Sequence, residues 1–263
     1  MIDIHAHVLP QVDDGPADWE ESLALLQQGE KDGIRGVVCT SHVLDSLNEE
    51  IENEFLRKFE ELKHRAQEKG LNMSLWLGSE IHIHSQFSVR SKVATINGNG
   101  KYILLELPMG DIPQDAGEKL FQLALDGFVP ILAHPARNSV IIRKPHLAFD
   151  YVQRGVLLQL NAGSIMGTFG KRIKRVAFEM LNHQLIHFIA SDCHTPTGRS
   201  MILSKAYRII ERYWGTDTAE RLFRVHPYKA VIGEEISAPP PIPLDEKGRK
   251  TGFFSGLKIF RNR

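Results

Sequence analysis

Seven short apolar runs, at residues 2–7, 36–42, 74–82, 102–107, 129–134, 156–161 and 187–192, recur along the chain with helical patterns between them. Runs of this length without polar alternation suit strands buried on both faces. Strand and helix alternating in this way predict parallel strands joined by right-handed crossovers. The clearest helix has Ile51, Phe55, Phe59, Leu62 and Ala66 on one face and stops at Gly70. An earlier one carries Trp19, Leu23 and Leu26, opens after Gly15-Pro16 and ends at Gly33. Further helices are expected over 115–126, 169–184 and 200–213. A doubly wound sheet would carry a glycine-rich phosphate turn after its first strand, but this strand ends His5-Ala6-His7. The expected class is therefore α/β with a closed or nearly closed barrel, and 263 residues suit one such barrel.

The runs also end alike. His5 and His7 close the first; residues two apart on a strand share a side, so both imidazoles can reach one ion. Thr40-Ser41-His42 closes the second, Glu80 lies near the end of the third, and Glu106 sits inside Leu104-Leu105-Glu106-Leu107. The fifth closes at His134-Pro135, and the last reads Ser191-Asp192-Cys193-His194. A carboxylate in so apolar a run as 102–107 is costly unless it is paired or binds a cation. In a parallel barrel all these ends converge on one rim. Separate structural roles for each group would need many independent coincidences, so a shared polynuclear metal site is the economical reading. Imidazole and carboxylate without thiolate suit Mn²⁺, Fe²⁺ or Zn²⁺.

Lysine plus arginine and aspartate plus glutamate both number 32, so the chain is neutral and is not expected to bind nucleic acid through bulk charge. No apolar run reaches the length of a membrane helix, and the opening Met1-Ile2-Asp3 lacks a basic leader. With two cysteines, Cys39 and Cys193, a disulfide scaffold is not expected, and the chain reads as soluble and cytoplasmic. Pro239-Pro240-Pro241-Ile242-Pro243 predicts a stiff linker, which divides the chain into 1–238 and 239–263. The segment beyond it holds six basic residues against two acids, with Phe253, Phe254, Leu257, Ile259 and Phe260. Such a tail could touch anionic lipid or an acidic partner, or stay solvated or docked on its own barrel.

The motifs His5-Ala6-His7, Asp13-Asp14-Gly15, Thr40-Ser41-His42, Gly78-Ser79-Glu80, Glu106, His134-Pro135-Ala136-Arg137-Asn138 and Ser191-Asp192-Cys193-His194 resemble those of the PHP (polymerase and histidinol phosphatase) superfamily. Within it the chain is most similar to bacterial manganese-dependent protein-tyrosine phosphatases of capsule and exopolysaccharide synthesis. The opening, with its His-x-His and Asp13-Asp14-Gly15, carries that likeness, as do Asn161-Ala162-Gly163-Ser164 and Gly167-Thr168-Phe169-Gly170. The resemblance runs from Met1 to about Gly233.

It implies a distorted (β/α)7 TIM-like barrel of the PHP type with two to three divalent ions, Mn²⁺ first among them, at the strand C-termini. One ion would take His5, His7, Glu80 and Asp192; a second would share Glu80 and add Glu106 and His134; a third would use Asp14, His42 and His194. Arg137 and Arg199 match arginines that grip the phosphate; the leaving group could be protonated by a metal-bound water, or by His42 or His194 where one is not fully committed as a ligand. Asp13 is read as a turn residue beside the ligand, with an exchange of roles between Asp13 and Asp14 left open. The implied substrate is a phosphotyrosine protein, in particular the tail of a bacterial tyrosine kinase. The chain departs from the family pattern at Ser41 and Val43, at Ala136 and at His82. His82 and His84 are read as strand positions rather than ligands.

Cys193 and Arg199-Ser200 also spell the Cys-x5-Arg-Ser signature of thiol-based tyrosine phosphatases. Asp192 beside the thiol favours its protonated form, and Pro196 removes an amide from the loop, so Cys193 is read as packing and Cys39 as core. A small-molecule phosphomonoesterase, such as one acting on histidinol phosphate, is the nearest rival. A non-catalytic module would lack ligands, and none of the nine positions is missing.

Overall fold

The computed structural model describes residues 1–244; the basic and aromatic segment beyond them, and with it the expectation of a lipid or partner contact there, lies outside the described residues. The strands are β1 (Ile2–Ala6), β2 (Gly36–Cys39), β3 (His42–Val43), β4 (Ser46–Leu47), β5 (Ser74–Leu77), β6 (Glu80–His82), β7 (Gln86–Phe87), β8 (Tyr102–Glu106), β9 (Val129–Leu132), β10 (Leu157–Asn161) and β11 (Phe188–Ala190). All seven expected runs are strands, but two are each divided. Thr40-Ser41 separates β2 from β3, and Gly78-Ser79 separates β5 from β6. The physical reason is local, because Thr40 turns its hydroxyl to the Ala6 amide and Gly78 packs against the Ile96 backbone. Hydrogen bonds Gly78 N–H to Cys39 O (2.9 Å) and Glu80 N–H to Ser41 O (3.1 Å) carry the ladder across both breaks.

Every ladder is parallel. One sheet runs β1-β2-β5 and a second runs β11-β10-β9-β8-β6-β3, with β4 and β7 forming a small ladder of their own. The divided runs join the two sheets on one side. On the other, Asp192 N–H donates to His5 O (2.8 Å) and His7 N–H to Cys193 O (2.9 Å), across the Ala6–Cys193 bridge. The result is an α/β fold whose parallel strands curl round one axis.

The inner side of the curl is filled by Ile4, Val38, Tyr102, Leu104, Ile131 and Phe188, with Ala230 and Val231 packed against them. Helices cover the outside: α1 (Trp19–Lys31), α2 (Glu49–Glu68), α3 (Ala116–Leu125), α4 (Ser139–Arg143), α5 (His146–Gln153), α6 (Ala162–Met166), α7 (Lys171–Asn182), α8 (Ser204–Trp214) and α9 (Thr216–Glu220), while α10 (His226–Ile232) carries Ala230 and Val231 onto the inner core. Asp18 and Asn48 cap α1 and α2 by accepting from the Glu21 and Ile51 amides. The expected face of α2 is the buried one: Phe55, Phe59, Leu62 and Ala66 pack inward. The expected helices at 169–184 and 200–213 start later, at Lys171 and Ser204. The segment before the last described residue is docked. Ile242 N–H donates to His183 O (2.9 Å), and Leu244 packs on the core.

Candidate metal centre

The C-terminal ends of the strands bring all nine expected ligands together. His5 Nε2 and His7 Nε2 lie 3.2 Å apart. Glu80 Oε2 is 3.1 Å from His5 Nε2, 3.2 Å from His7 Nε2 and 3.1 Å from His42 Nδ1. Its other oxygen is 3.0 Å from His134 Nε2, which stands 3.5 Å from Glu106. Asp192 Oδ1 is 3.4 Å from His5 Nε2 and 3.6 Å from His7 Nε2. Asp14, on the loop after β1, reaches His194 Nε2 at 3.1 Å and His42 Nε2 at 3.5 Å. Except for Asp14 and the edge of His42, these groups are buried.

This donor set fits divalent ions. Glu80 Oε2, Asp192 Oδ1 and His42 Nδ1 are buried and make no hydrogen bond, although ring nitrogens or carboxylates crowd them at contact distance. Buried polar atoms left in this way are costly unless something positive completes them. Four groups have ligand atoms close enough to share an ion: His5, His7 and Glu80; His5, His134 and Asp192; His42, Glu80 and Glu106; and His7, Asp14, His42 and His194. These groups differ from the expected partition: His134 stands with His5 and Asp192 rather than with the two glutamates, His42 takes its place beside them, and His7 also joins Asp14, His42 and His194.

Three residues hold these donors, and their part was not legible in the motifs. Asp13 is buried and accepts from His7 Nδ1 (2.8 Å), the His42 amide (2.9 Å) and the Gly15 amide (2.9 Å). Of the acidic pair, Asp14 alone reaches the His42 and His194 imidazoles, while Asp13 orients His7 and ties the His42 backbone. Gln159 accepts from His5 Nδ1 at 3.0 Å and from the His134 amide at 3.2 Å. Its amide donates to Asn161, whose own amide donates to Asp192 Oδ2. The signal was present in Leu157-Leu158-Gln159-Leu160-Asn161, where two polar residues with period two end an apolar run.

Electrostatics follow from this crowding. Burial works against a charged His7, but Asp13 and Glu80 outweigh it and raise its pKa to about 10. Burial likewise opposes ionisation of Asp13, yet His7 and the two amides bring it down to about 2. Burial and then the Glu80 charge push Glu106 up to about 8. Asp192 moves down despite burial, under His5, His134 and Arg199. His194 falls to about 4 through burial and then His7 and Arg199. Cations entering such a site replace protons.

Arg137 Nη1 donates to Asp192 Oδ2 at 3.0 Å, and its guanidinium lies 4.7 Å from the centre of the Phe169 ring. Arg199 is held through all three nitrogens, by the Asp192 carbonyl, the Asp192 carboxylate and His194. Both arginines line a cleft of about 850 Å³ together with Asp14, His42, Glu80, Glu106 and His134. His134 and Asp192 both adopt positive φ, 32° and 54°, just past β9 and β11. Backbone strain of this kind persists where the surroundings over-determine it.

The thiol motif is a coincidence of spelling. Cys193 is fully buried, and burial followed by the Asp3 and Asp192 charges drives its pKa well above the ordinary thiol value. The His194 and Thr195 amides donate to Arg199 O rather than standing open to a phosphate. Cys39 is core, its thiol pushed up by burial. His82 ends β6, whereas His84 lies in the turn after it rather than on a strand; the two rings face each other at 5.5 Å and join none of the ligand groups among the described residues.

Comparison with known proteins agrees with this geometry. The family model described as capsular polysaccharide synthesis, CpsB/CapC, matches residues 1–232. The chain is 31% identical over 265 residues to the tyrosine-protein phosphatase YwqE of Bacillus subtilis, covering 97% of this chain and 100% of that one. It is 32% identical over 231 residues to the tyrosine-protein phosphatase CpsB of Streptococcus agalactiae, covering 85% and 95%. Among solved structures it matches one described as YwqE from Bacillus subtilis and CpsB from Streptococcus pneumoniae, metal-dependent tyrosine phosphatases. That match has a TM-score of 0.84 at 28% identity and covers 93% of this chain and 99% of the other. The phosphotriesterase homology protein of Escherichia coli shares the fold alone, with a TM-score of 0.54 at 11% identity over 88% of this chain and 98% of that one.

Proposed function

The chain belongs to the CpsB/CapC family of capsular polysaccharide synthesis proteins, and on that premise we propose that it is a metal-dependent phosphatase that hydrolyses phosphotyrosine on a protein. The observation that carries the reading is the convergence of nine imidazole and carboxylate donors on buried oxygens that no hydrogen bond satisfies. The finer reading is two to three ions per chain, Mn²⁺ before Fe²⁺ or Zn²⁺. His5, His7, Asp14, His42, Glu80, Glu106, His134, Asp192 and His194 would hold them, in a seven-run barrel over residues 1–238 followed by 239–263. The proposed substrate is the tail of a tyrosine kinase, met in the cytoplasm.

Divalent ions in this site supply positive charge for the phosphoryl oxygens and acidify water for in-line attack. The protein supplies the rest. Arg137 and Arg199 are anchored on Asp192, so their planar forks are set before the substrate arrives and can take two phosphoryl oxygens. Asp192 divides its labour: Oδ2 faces Arg137, Arg199 and Asn161, and Oδ1 faces the ligand cluster. Asp13 and Gln159 fix the Nδ1 sides of His7 and His5, which leaves Nε2 of each ring for the ions. His42 keeps more surface open to the cleft than His194, and it could protonate the departing oxygen only from a ring nitrogen that no ion takes. A tyrosyl oxygen, with a pKa of about 10, needs that proton less than an alkyl oxygen does, which favours phosphotyrosine.

The test is hydrolysis of a phosphotyrosine peptide by wild type and Cys193→Ser, each after chelation and after Mn²⁺ is restored. Activity lost to the chelator, rescued by Mn²⁺ and retained in Cys193→Ser supports the reading. Activity indifferent to chelation and abolished in Cys193→Ser would overturn it. Turnover of histidinol phosphate with none of the peptide would move the substrate to a small molecule.

A further inference from the structure

Behind Arg199 lies a second cavity of about 440 Å³, lined by Gly163, Met166, Phe169, Ile202, Ile209 and Lys205 among others. Ala162, Gly163, Thr168 and Phe169 line it from the stretches Asn161-Ala162-Gly163-Ser164 and Gly167-Thr168-Phe169-Gly170, which none of the metal or phosphate roles above uses as a unit. Its construction is specific. A Cβ on Gly163 would meet the Phe169 ring at 2.8 Å, so glycine is what lets that ring seat there. The seated ring in turn receives Arg137 on its face. Arg199 lines both this cavity and the metal cleft, and with all its nitrogens engaged it is a fixed divider rather than a swinging arm.

The two sides of the cleft differ in charge. Asp14 and Asp45 line it on the loops after β1 and β3, where an anionic peptide segment is repelled. Past Arg199 the charge reverses: Lys205, on the first turn of α8, is exposed and has no ion-pair partner among the described residues. The remaining lining there is apolar or hydroxylic, including Met166, Ile202, Thr168 and Ser200.

Resting on the phosphotyrosine reading above, we infer that this cavity is a substrate subsite: it receives an acidic side chain next to the phosphotyrosine, its stem against Met166 and Ile202 and its carboxylate toward Lys205. Adjacency to the metal cleft across Arg199 and the unpaired charge of Lys205 select this occupant over a basic or neutral one.

The experiment measures kcat/KM of the Mn²⁺-loaded full chain on phosphotyrosine peptides. They carry Glu, Gln or Lys on the N-terminal or the C-terminal side of the phosphotyrosine, and p-nitrophenyl phosphate serves as a substrate without flanks. Wild type should prefer Glu over Lys on one side by roughly fivefold, the size of a partly exposed charge pair. Lys205→Glu should invert that order and Lys205→Gln should flatten it, both with p-nitrophenyl phosphate turnover unchanged. Equal rates on all peptides in wild type, or an order that survives Lys205→Glu, would overturn the subsite. If p-nitrophenyl phosphate is cleaved and no phosphotyrosine peptide is, the phosphotyrosine reading fails and the subsite falls with it.

Discussion

Replacing Asp13 by asparagine keeps its shape and turns one carboxylate oxygen into an amide nitrogen. The native side chain is 3% exposed and serves three donors: His7 Nδ1 and the His42 amide on Oδ2, and the Gly15 amide on Oδ1. An amide cannot serve all three. With its oxygen toward His7, its NH₂ faces the Gly15 N–H, 2.9 Å from the atom it replaces. With its oxygen toward Gly15, it confronts the His42 N–H and forces His7 onto the tautomer that blocks Nε2. The first arrangement costs less and still leaves one buried N–H unsatisfied, worth about 1–3 kcal/mol of stability. The lost negative charge also weakens the hold on His7, and such outer partners typically change metal affinity by about 10- to 100-fold. Asp14→Asn is the control, because Asp14 is 63% exposed and touches the imidazoles directly. Denaturant unfolding of the metal-free proteins and chelator competition for Mn²⁺ should separate the two variants. Asp13→Asn should lose both stability and affinity, and Asp14→Asn affinity alone. The reasoning fails if Asp13→Asn unfolds at the wild-type midpoint, or if its Mn²⁺ affinity stays within twofold of wild type.

Three other outcomes follow from the same geometry. Cys193→Ser should keep kcat/KM on p-nitrophenyl phosphate within about threefold, since the thiol is buried away from the cleft; thermal unfolding should show any cost as lost stability instead. His187 is buried with its pKa lowered to about 3, first by burial and then by His226, and its Nδ1 accepts the Leu158 amide. Its folded value lies below the unfolded one, so the stability it contributes is whole above pH 6.5 and is lost as pH falls toward 3, by up to about 1.4 kcal/mol per pH unit. His187→Asn, whose Oδ1 can replace Nδ1 as acceptor, should flatten that part of an acid-unfolding curve measured by circular dichroism. Truncation after Leu244 should leave p-nitrophenyl phosphate turnover unchanged, whereas truncation before Pro239 removes the Ile242–His183 hydrogen bond and the Leu244 packing and should lower Tm.

The architecture was legible because apolar runs buried on both faces are hard to write in any other way, and their ends repeated one chemistry. The breaks at Thr40-Ser41 and Gly78-Ser79 were not, since both lie inside continuous ladders and show only as a hydroxyl and a glycine meeting particular neighbours. The short helices α4, α5, α6, α9 and α10 were missed for a related reason. Segments of five to eight residues are too short to show a 3.6-residue period, and tertiary contacts hold them. In the site, histidine and carboxylate at strand ends were conspicuous, while Gln159 was passed over because an amide is a poor ligand and its role is to hold one.

Two of the proposed ligand positions could not have been placed by strand alternation at all. In β8, Tyr102, Leu104 and Glu106 share one face, and in β10 Leu157, Gln159 and Asn161 do the same, so their polar ends point where the inner core points. The first strand already departs from that rule, with a register shift between Asp3 and Ala6. His134 and Asp192 leave it completely, since each lies two residues past the end of its strand in a left-handed conformation that costs on the order of 1–3 kcal/mol. What holds them there is visible. The His134 amide donates to Gln159, and the Asp192 amide donates to His5 O, so each strained residue is tied to the part of the site it must meet. Strain at two of the proposed ligands and unpartnered oxygens on Glu80 and Asp192 are each unfavourable for a merely stable fold. Their coincidence on one rim is what a site organised around charge brought in from outside requires.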